Sequence, residues 1–350
     1  MAAIKGKYRF SFGPWNIDEG ADPFGPTVRA PIALEKKLRL YKGLGYDGVQ
    51  FHDDDVVPDI DQKSPAQVMK EAARIKKILD NEGLKAEFVA PRLWFSPNTI
   101  DGAYSNPDPK MRKYAIERTK VCIDLNNALN TSWMVVWLAR EGTYVRESKN
   151  AREQVLQIRD ALNAFLEYDK KLKILIEPKP NEPVDSAIIP TIGHAVAMAY
   201  ITVDPARVGC LVESAHSLLA GLDPSDDMAF GLAHNKLWSV HLNDQGGLKF
   251  DQDKSFGSFN LRHAFSQVRV LEEYSYGRHG EWVGFDVKAM RTQKQSVATK
   301  HLSSSRARFL HLLNKVATLD HKLEAQLRAA RDYEELDRYI LCHLMGVKYS

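Results

Sequence analysis

The stretch Lys171-Leu-Lys-Ile-Leu-Ile-Glu177-Pro178-Lys179-Pro180-Asn181-Glu182-Pro183 joins an apolar run to an abrupt polar end. The three consecutive aliphatic residues 174–176 are typical of a strand that is buried on both faces of a parallel sheet. The prolines prevent the strand from continuing, because proline cannot donate to a sheet ladder. Glu177 and Lys179 therefore lie at the C-terminal end of the strand, on the same face. An acid and an amine in such a position are commonly surface groups, so this stretch alone does not define a site.

Seven further apolar runs have the same form, and most of them end on a side chain suited to chemistry. These runs are 8–12, 47–52 ending at His52, 85–90, 133–137 ending at Trp137, 208–213 ending at Glu213, 237–241 ending at His241, and 282–286 ending at Asp286. Helical patterns are predicted for 34–45, 64–81, 109–129, 150–170, 192–202, 225–233, 261–273 and 297–320. Eight strands that alternate with helices predict an α/β fold, a closed (β/α)8 TIM barrel, in which the C-terminal strand ends converge on one site.

The bulk composition excludes several classes of function. The 350 residues are 44% hydrophobic and 27% charged, with a formal net charge of +3 spread along the chain. This composition indicates a globular protein without a nucleic-acid or membrane footprint, so we expect small molecules and copies of itself as partners. Because no leader or long apolar segment is evident, and the three cysteines lie in or beside apolar runs, we expect buried free thiols and a cytoplasmic location.

We predict one barrel domain, residues 1–318, followed by a C-terminal helical tail, residues 319–350. The tail is amphipathic and is not needed to close a barrel. It is suited to a contact with a neighbouring subunit, although packing against its own barrel fits equally well. The loop after the first strand carries Trp15 and Phe24 among glycines and prolines. Long loops are often functional, but this one could also simply cover the end of the barrel.

The polar strand ends and the loop after the seventh strand predict a metal centre. The candidates are five carboxylates and two imidazoles: Glu177, Glu213, His216, His241, Asp251, Asp253 and Asp286. So many carboxylates facing one cavity would repel each other unless divalent cations supplied the missing charge. Glu213 could bridge two ions, as in paired metal sites. Mixed carboxylate and imidazole ligation suits Mg, Mn or Co.

These residues resemble the class I D-xylose (glucose) isomerases over most of the chain, from about residue 8 to residue 292. The resemblance rests on five motifs: Phe51-His52-Asp53-Asp54-Asp55-Val56, Trp137 with Arg140-Glu141-Gly142, Ile176-Glu177-Pro178-Lys179-Pro180-Asn181-Glu182-Pro183, Lys249-Phe-Asp251-Gln-Asp253, and Phe285-Asp286-Val-Lys288. It implies two divalent metal ions per subunit. Glu177, Glu213 and Asp286 would hold the substrate-binding metal, and Glu213, His216, Asp251 and Asp253 the catalytic metal.

The resemblance also implies roles for the remaining candidates. His52, oriented by Asp55, would assist opening of the cyclic sugar, and Lys179 would hydrogen-bond the new C1 carbonyl oxygen. The substrate-binding residues would be Trp15, Phe24, Trp94, Trp137 and Asn243, with Phe24 contributed by a neighbouring subunit of a dimer or tetramer. The implied activity is conversion of D-xylose to D-xylulose, and of D-glucose to D-fructose, by ring opening and a metal-assisted 1,2-hydride shift.

Two departures from the family pattern bear on these expectations. His241 stands where the family has an aspartate as fourth ligand of the substrate-binding metal, which favours Mn or Co at that position. Ala90-Pro91-Arg92 replaces the family's polar residues after the third strand, and Trp94 replaces a phenylalanine. Because fold does not fix function, another sugar isomerase or epimerase on the same barrel is an alternative. A non-catalytic metal- or sugar-binding protein is a second alternative.

Overall fold

The structure, a computed structural model, describes residues 4–17 and 22–349. Eight strands form a closed barrel: β1 Phe10–Phe12, β2 Gly48–His52, β3 Lys85–Ala90, β4 Trp133–Trp137, β5 Ile174–Glu177, β6 Val208–Glu213, β7 Leu237–His241 and β8 Trp282–Phe285. Each strand pairs in parallel with the strands before and after it in the sequence, and β8 pairs with β1. The (β/α)8 TIM barrel predicted from the sequence is therefore confirmed.

Twelve helices are present in the described residues. They are α1 Leu34–Gly43, α2 Asp53–Val56, α3 Pro65–Glu82, α4 Pro109–Leu129, α5 Ala151–Tyr168, α6 Ile192–Tyr200, α7 Ser214–Leu219, α8 Pro224–Ala233, α9 Leu261–Glu273, α10 Lys300–Ala317, α11 His321–Ala330 and α12 Tyr333–Met345. Short 3-10 turns lie at Pro14–Asn16, Ile60–Gln62, Pro97–Thr99, Arg146–Ser148, Pro205–Arg207 and Gln295–Val297. Two residues each, Gly142–Thr143 and Ser186–Ala187, form a small antiparallel ladder outside the barrel. Within these described ranges, no helix is both long and apolar enough to cross a membrane.

Local sequence signals explain where several helices begin and end. Ser64 caps α3 by accepting a hydrogen bond from the Gln67 amide, and proline follows as the first helical residue, an arrangement that satisfies an otherwise free N-terminal donor. Gly83 ends the same helix with a φ of 65°, which glycine adopts without steric cost. The short helices α2 and α7, by contrast, follow directly from strand ends and carry no strong sequence signal.

The C-terminal tail forms two helices instead of one, because Arg331 adopts a left-handed conformation between α11 and α12. Both helices contact the barrel of their own chain. Arg269 of α9 pairs with Glu324 of α11 at 2.5 Å, and Lys315 of α10 donates to the carbonyl of His343 in α12 at 2.6 Å. A role for the tail in subunit contact remains a prediction, as do the boundaries of the two segments.

A buried carboxylate, Glu87, occupies the interior of the barrel below the C-terminal strand ends. It accepts hydrogen bonds from Ser239 Oγ at 2.6 Å, from Gln50 Nε2 at 3.0 Å and from Ser11 Oγ. Trp133 Nε1 of β4 also donates to it at 3.4 Å. Four strands besides its own thus supply donors, so the network ties β1, β2, β3, β4 and β7 together. A charged or polar group can be buried at modest cost when its hydrogen bonds are satisfied in this way.

Candidate metal centre

The C-terminal strand ends bring the seven predicted ligands into one cluster. Three groups of residues have ligand atoms close enough to share an ion: Glu177, Glu213 and His241; Glu213, His216 and Asp251; and Glu213, Asp253 and Asp286. Glu213, the last residue of β6, is common to all three groups. The geometry therefore suits an arrangement in which Glu213 bridges two ions.

His216 fills the space between three carboxylates. Its Nε2 lies 3.2 Å from Glu213 Oε1 and 3.1 Å from Asp251 Oδ2, while its Nδ1 lies 3.0 Å from the carbonyl oxygen of Pro178. A ligand histidine normally donates its second ring N–H to such a carbonyl, which fixes the ring and leaves the other nitrogen for the metal. The loop after Glu177 thus orients His216 towards the cluster.

His241, the last residue of β7, faces two carboxylates. Its Nδ1 lies 3.5 Å from Glu177 Oε1 and 3.4 Å from Glu213 Oε2. Its Nε2 is buried and has no hydrogen-bond partner among the described residues. Gly284 makes room for the ring, because a Cβ there would lie 2.9 Å from His241 Cδ2. The observed position of the His241 imidazole therefore requires a residue without a Cβ at position 284 of β8.

Asn243 and Asp286 are held by neighbouring side chains. Asn243 accepts from the Ala215 amide at 2.7 Å and donates to Glu213 at 2.9 Å and to Asp253 at 3.2 Å. Asp286 accepts from Trp15 Nε1 at 2.9 Å and from Asn16 Nδ2 at 2.8 Å. Asn243 therefore contacts the carboxylate cluster directly, and Trp15 links the cluster to the first loop.

Two lysines partly neutralise the cluster. Lys179 Nζ lies 2.9 Å from Asp251 Oδ2 and 3.2 Å from Glu182 Oε2, and Lys288 Nζ lies 2.5 Å from Asp253 Oδ2. Burial lowers the pKa of each lysine, but the adjacent carboxylates raise it further, so both pKa values stand above the ordinary one. Both amines are therefore charged at neutral pH. Lys288 was not a predicted site residue, although it closes one of the quoted motifs.

These lysines do not suffice to keep every carboxyl ionised. Burial raises the pKa of Glu213 to about 8, and burial together with the negative charge of Asp251 raises the pKa of Asp253 well above its usual range. Burial also opposes ionisation of Asp251, but Lys179 and His216 hold its pKa well below the usual range. Divalent cations would oppose both effects, because their positive charge favours the ionised form of the buried carboxyls and screens the carboxylates from each other.

The residues present therefore fit divalent cations. The Asp251 Oδ1 oxygen is buried without a hydrogen-bond partner in the described part of the chain. The donors are carboxylate oxygens and imidazole nitrogens, with no thiolate among the grouped residues. This donor set suits Mg, Mn or Co rather than metals that prefer sulfur.

A row of rings leads from the first loop to the metal cluster. The His52 ring lies 4.2 Å from Trp15 and 5.1 Å from Trp94, and Trp94 lies edge-on to Trp137 at 4.5 Å. Trp137 in turn lies parallel to the His216 ring at 6.5 Å. The chain thus places an apolar wall beside the carboxylates, as a small ligand site requires.

Phe24 lies away from this wall. Its side chain is 77% exposed and contacts Phe250 of its own chain, with the ring centroids 5.3 Å apart. Among the described residues, its ring is not in contact with the rings of Trp15, Trp94 or Trp137. Its expected position in the site of a neighbouring subunit remains a prediction.

The three consecutive acids after β2 are held by two arginines. Buried Asp53 accepts from Arg118 Nε at 2.8 Å and from the Arg92 backbone N–H at 3.1 Å. The Arg92 guanidinium lies 3.3 Å from Asp54 and 3.4 Å from Asp55. The two arginines thus supply positive charge beside these acids. His52, Asp54 and Asp55 could also be grouped around an ion, but the guanidinium already provides that charge.

Comparisons with known proteins agree with this architecture. The family profile described as "Xylose isomerase-like TIM barrel" matches residues 38–272. The xylose isomerase of Thermus thermophilus is 36% identical over 303 residues, which cover 84% of this chain and 76% of that protein. The xylose isomerase of Thermus caldophilus is 35% identical over 305 residues, with the same coverage of each chain. An L-ribulose 3-epimerase structure has a TM-score of 0.64 and 16% identity, over 93% of this chain and 99% of that one, a likeness of fold. By profile, sequence identity and fold, this chain belongs to the xylose isomerase-like TIM barrel family.

Proposed function

We propose that the protein is a metal-dependent aldose–ketose isomerase that acts on a free pentose or hexose. D-xylose, converted to D-xylulose, is the first candidate substrate, and D-glucose, converted to D-fructose, is the second. One observation carries the proposal: Glu213 is shared by three ligand groups, and the charged amine of Lys179 contacts Asp251 of one of them. The identity to two Thermus xylose isomerases supports this choice of chemistry.

Two divalent cations would be held by the seven residues of the cluster, with Mn or Co favoured beside His241. When bound, they supply Lewis-acid polarisation of adjacent sugar oxygens. Glu177, Glu213, His241 and Asp286 form the proposed substrate-side set. Glu213, His216, Asp251 and Asp253 form the proposed catalytic set.

Lys179 provides a charged donor for the C1 oxygen of the open sugar. Its amine lies 5.2 Å from the centre of the Trp137 ring, at the junction of the carboxylate cluster and the aromatic wall. A donor fixed before the reaction stabilises charge that develops on an oxygen without further rearrangement. Hydrogen then leaves C2 with its electron pair and bonds to C1. The C2 hydroxyl gives up its proton as C2 becomes the carbonyl, and the C1 oxygen, hydrogen-bonded by the Lys179 ammonium while its negative charge develops, takes up a proton to become the C1 hydroxyl.

The aromatic wall protects this transfer from solvent. Trp15, Trp94 and Trp137 surround the path between His52 and His216. A pocket without mobile water prevents the migrating hydrogen from exchanging with solvent. His52, beside Asp55, is positioned at one end of this wall to assist opening of the sugar ring. In the assembled dimer or tetramer, Phe24 of a neighbouring subunit would complete the wall.

An aldose panel assayed with Mg, Mn and Co in turn tests the proposal. We expect ketose formation from at least one pentose or hexose, loss of activity after chelation, and recovery on adding metal. Full activity in chelator, or metal loading without turnover of any aldose, contradicts it. An epimerase on the same barrel would instead change the configuration of a ketose with metal present and would not require Lys179.

A further inference from the structure

Arg92 contacts the same ring nitrogen of His52 as Asp55 does. His52 Nδ1 lies 3.1 Å from Asp55 Oδ2 and is also in contact with Arg92 Nη2. These two neighbours make opposite demands, because a carboxylate only accepts hydrogen bonds and a guanidinium only donates them. A proton on Nδ1 would be donated to Asp55 but would face an N–H of Arg92. A lone pair on Nδ1 would accept from Arg92 but would face the oxygen of Asp55.

Asp55 is satisfied without a proton from the imidazole. Its Oδ2 accepts the backbone N–H of His52 at 2.8 Å, and its Oδ1 lies 3.4 Å from Arg92 Nη2. The carboxylate therefore already has donors other than the imidazole.

Arg92 is fixed in place from both ends. Its backbone N–H donates to Asp53, which is fully buried and is itself held by Arg118. Its guanidinium lies between Asp54 and Asp55 and over the Phe95 ring at 5.7 Å. The side chain is only 17% exposed. Asp53 thus fixes the backbone of Arg92, while Asp54 and Asp55 hold its guanidinium beside His52.

We infer that Arg92 is a positioning residue that selects the tautomer of His52. The imidazole accepts a hydrogen bond from Arg92 at Nδ1 and carries its proton at Nε2. Which nitrogen of a histidine carries the proton is set by the partner of the other nitrogen. Arg92 is a permanent donor that needs an acceptor, whereas Asp55 already accepts the His52 backbone N–H, so Nδ1 holds the lone pair.

This tautomer determines what His52 can do towards a ligand. The nitrogen left for the aromatic-walled pocket is an N–H donor instead of an acceptor. If the proposed function holds, His52 therefore donates to a sugar oxygen during ring opening, whereas the Asp55-oriented tautomer would accept a proton at Nε2. The assignment of the tautomer itself does not depend on the identity of the substrate.

The tautomer can be measured directly on the sugar-free protein. Two-bond proton–nitrogen spectra of protein labelled with 15N-histidine distinguish the two neutral tautomers, and the signals of His52 are identified by their loss in His52→Gln. Spectra recorded at mildly alkaline pH, without metal or with Mg, are compared for wild type, Arg92→Leu and Asp55→Asn.

We expect the Nε2–H tautomer in wild type, the Nδ1–H tautomer in Arg92→Leu, and an unchanged Nε2–H tautomer in Asp55→Asn. An Nδ1–H or doubly protonated ring in wild type overturns the inference, and this spectrum decides the matter even if Arg92→Leu does not fold. A tautomer that changes in Asp55→Asn and not in Arg92→Leu also overturns it. Failure of the proposed function would show instead as absent aldose turnover, which these spectra do not measure.

Discussion

Gly284→Ala should lower both the metal affinity of the site and the free energy of unfolding. Gly284 pairs with His241 across β8 and β7. An added Cβ would lie 2.9 Å from His241 Cδ2 and from the Val240 carbonyl oxygen, and closer still to Gln50 Nε2. Ordinary contact begins at 3.4 Å, so the imidazole must move by about 0.5 Å and the Gln50 amide by more. Overpacking of this kind costs about 1–3 kcal/mol of the free energy of unfolding.

Displacement of His241 should also weaken metal binding. Loss of a group that supports a ligand typically lowers metal affinity by about 10–100-fold. Isothermal titration with Mn, alongside chemical denaturation of the metal-free protein, separates the two effects. Gly48→Ala is a matched control, because its Cβ would meet the Trp282 ring, away from the cluster; it should lose stability and keep its metal affinity. In the His241→Asp background, Gly284→Ala should affect Mn affinity far less. Unchanged Mn affinity in Gly284→Ala alone would refute the link between the glycine and the histidine.

Three further predictions concern single side chains. Lys179→Met should lower kcat by about 10²–10³-fold with metal affinity largely retained, and near-wild-type turnover would favour the alternative isomerase or epimerase chemistry. His241→Asp should increase activity with Mg, because a carboxylate suits this ion better than an imidazole does. If the Mg and Mn titrations of the variant and the wild type superimpose, His241 does not contribute to metal binding. Burial lowers the pKa of His301 to about 4, and the hydrogen bond to the Asn16 carbonyl compensates only in part. As pH falls, His301 is therefore protonated in the unfolded chain before it is protonated in the folded protein. The free energy of unfolding is lost as pH falls from about 6.5 towards 4. Between pH 7 and pH 5 the wild type should therefore lose about 2 kcal/mol more than His301→Gln, and parallel pH profiles from urea denaturation would contradict this.

The periodic features of the fold could be predicted from the sequence. All eight barrel strands and the helices α4 and α9 are where the apolar patterns indicate them, because buried parallel strands and amphipathic helices impose a repeat on the side chains. The break between α11 and α12 could not be predicted, since Arg331 adopts a positive φ of 56° that residues other than glycine rarely take. The helices α2 and α7 could not be predicted from the sequence either, because they are too short to show a periodic apolar pattern.

The composition of the candidate site could be predicted, but its support could not. Strand ends indicated the acids and imidazoles because every parallel strand of a barrel ends at the same face. The contact of Arg92 with His52 joins residues 40 positions apart, and the pairing of Gly284 with His241 depends on strand register. Neither follows from local periodicity. The Glu87 network is of the same kind, because its donors come from four other strands.

Conversion of C2-deuterated D-xylose by the Mn-loaded protein tests the proposed function most directly. NMR of the product reports both whether a ketose forms and where the deuterium resides. The account predicts D-xylulose with the deuterium on C1, none released to water, and no product after chelation. Absence of ketose with metal bound, or release of the deuterium to solvent during turnover, would contradict it.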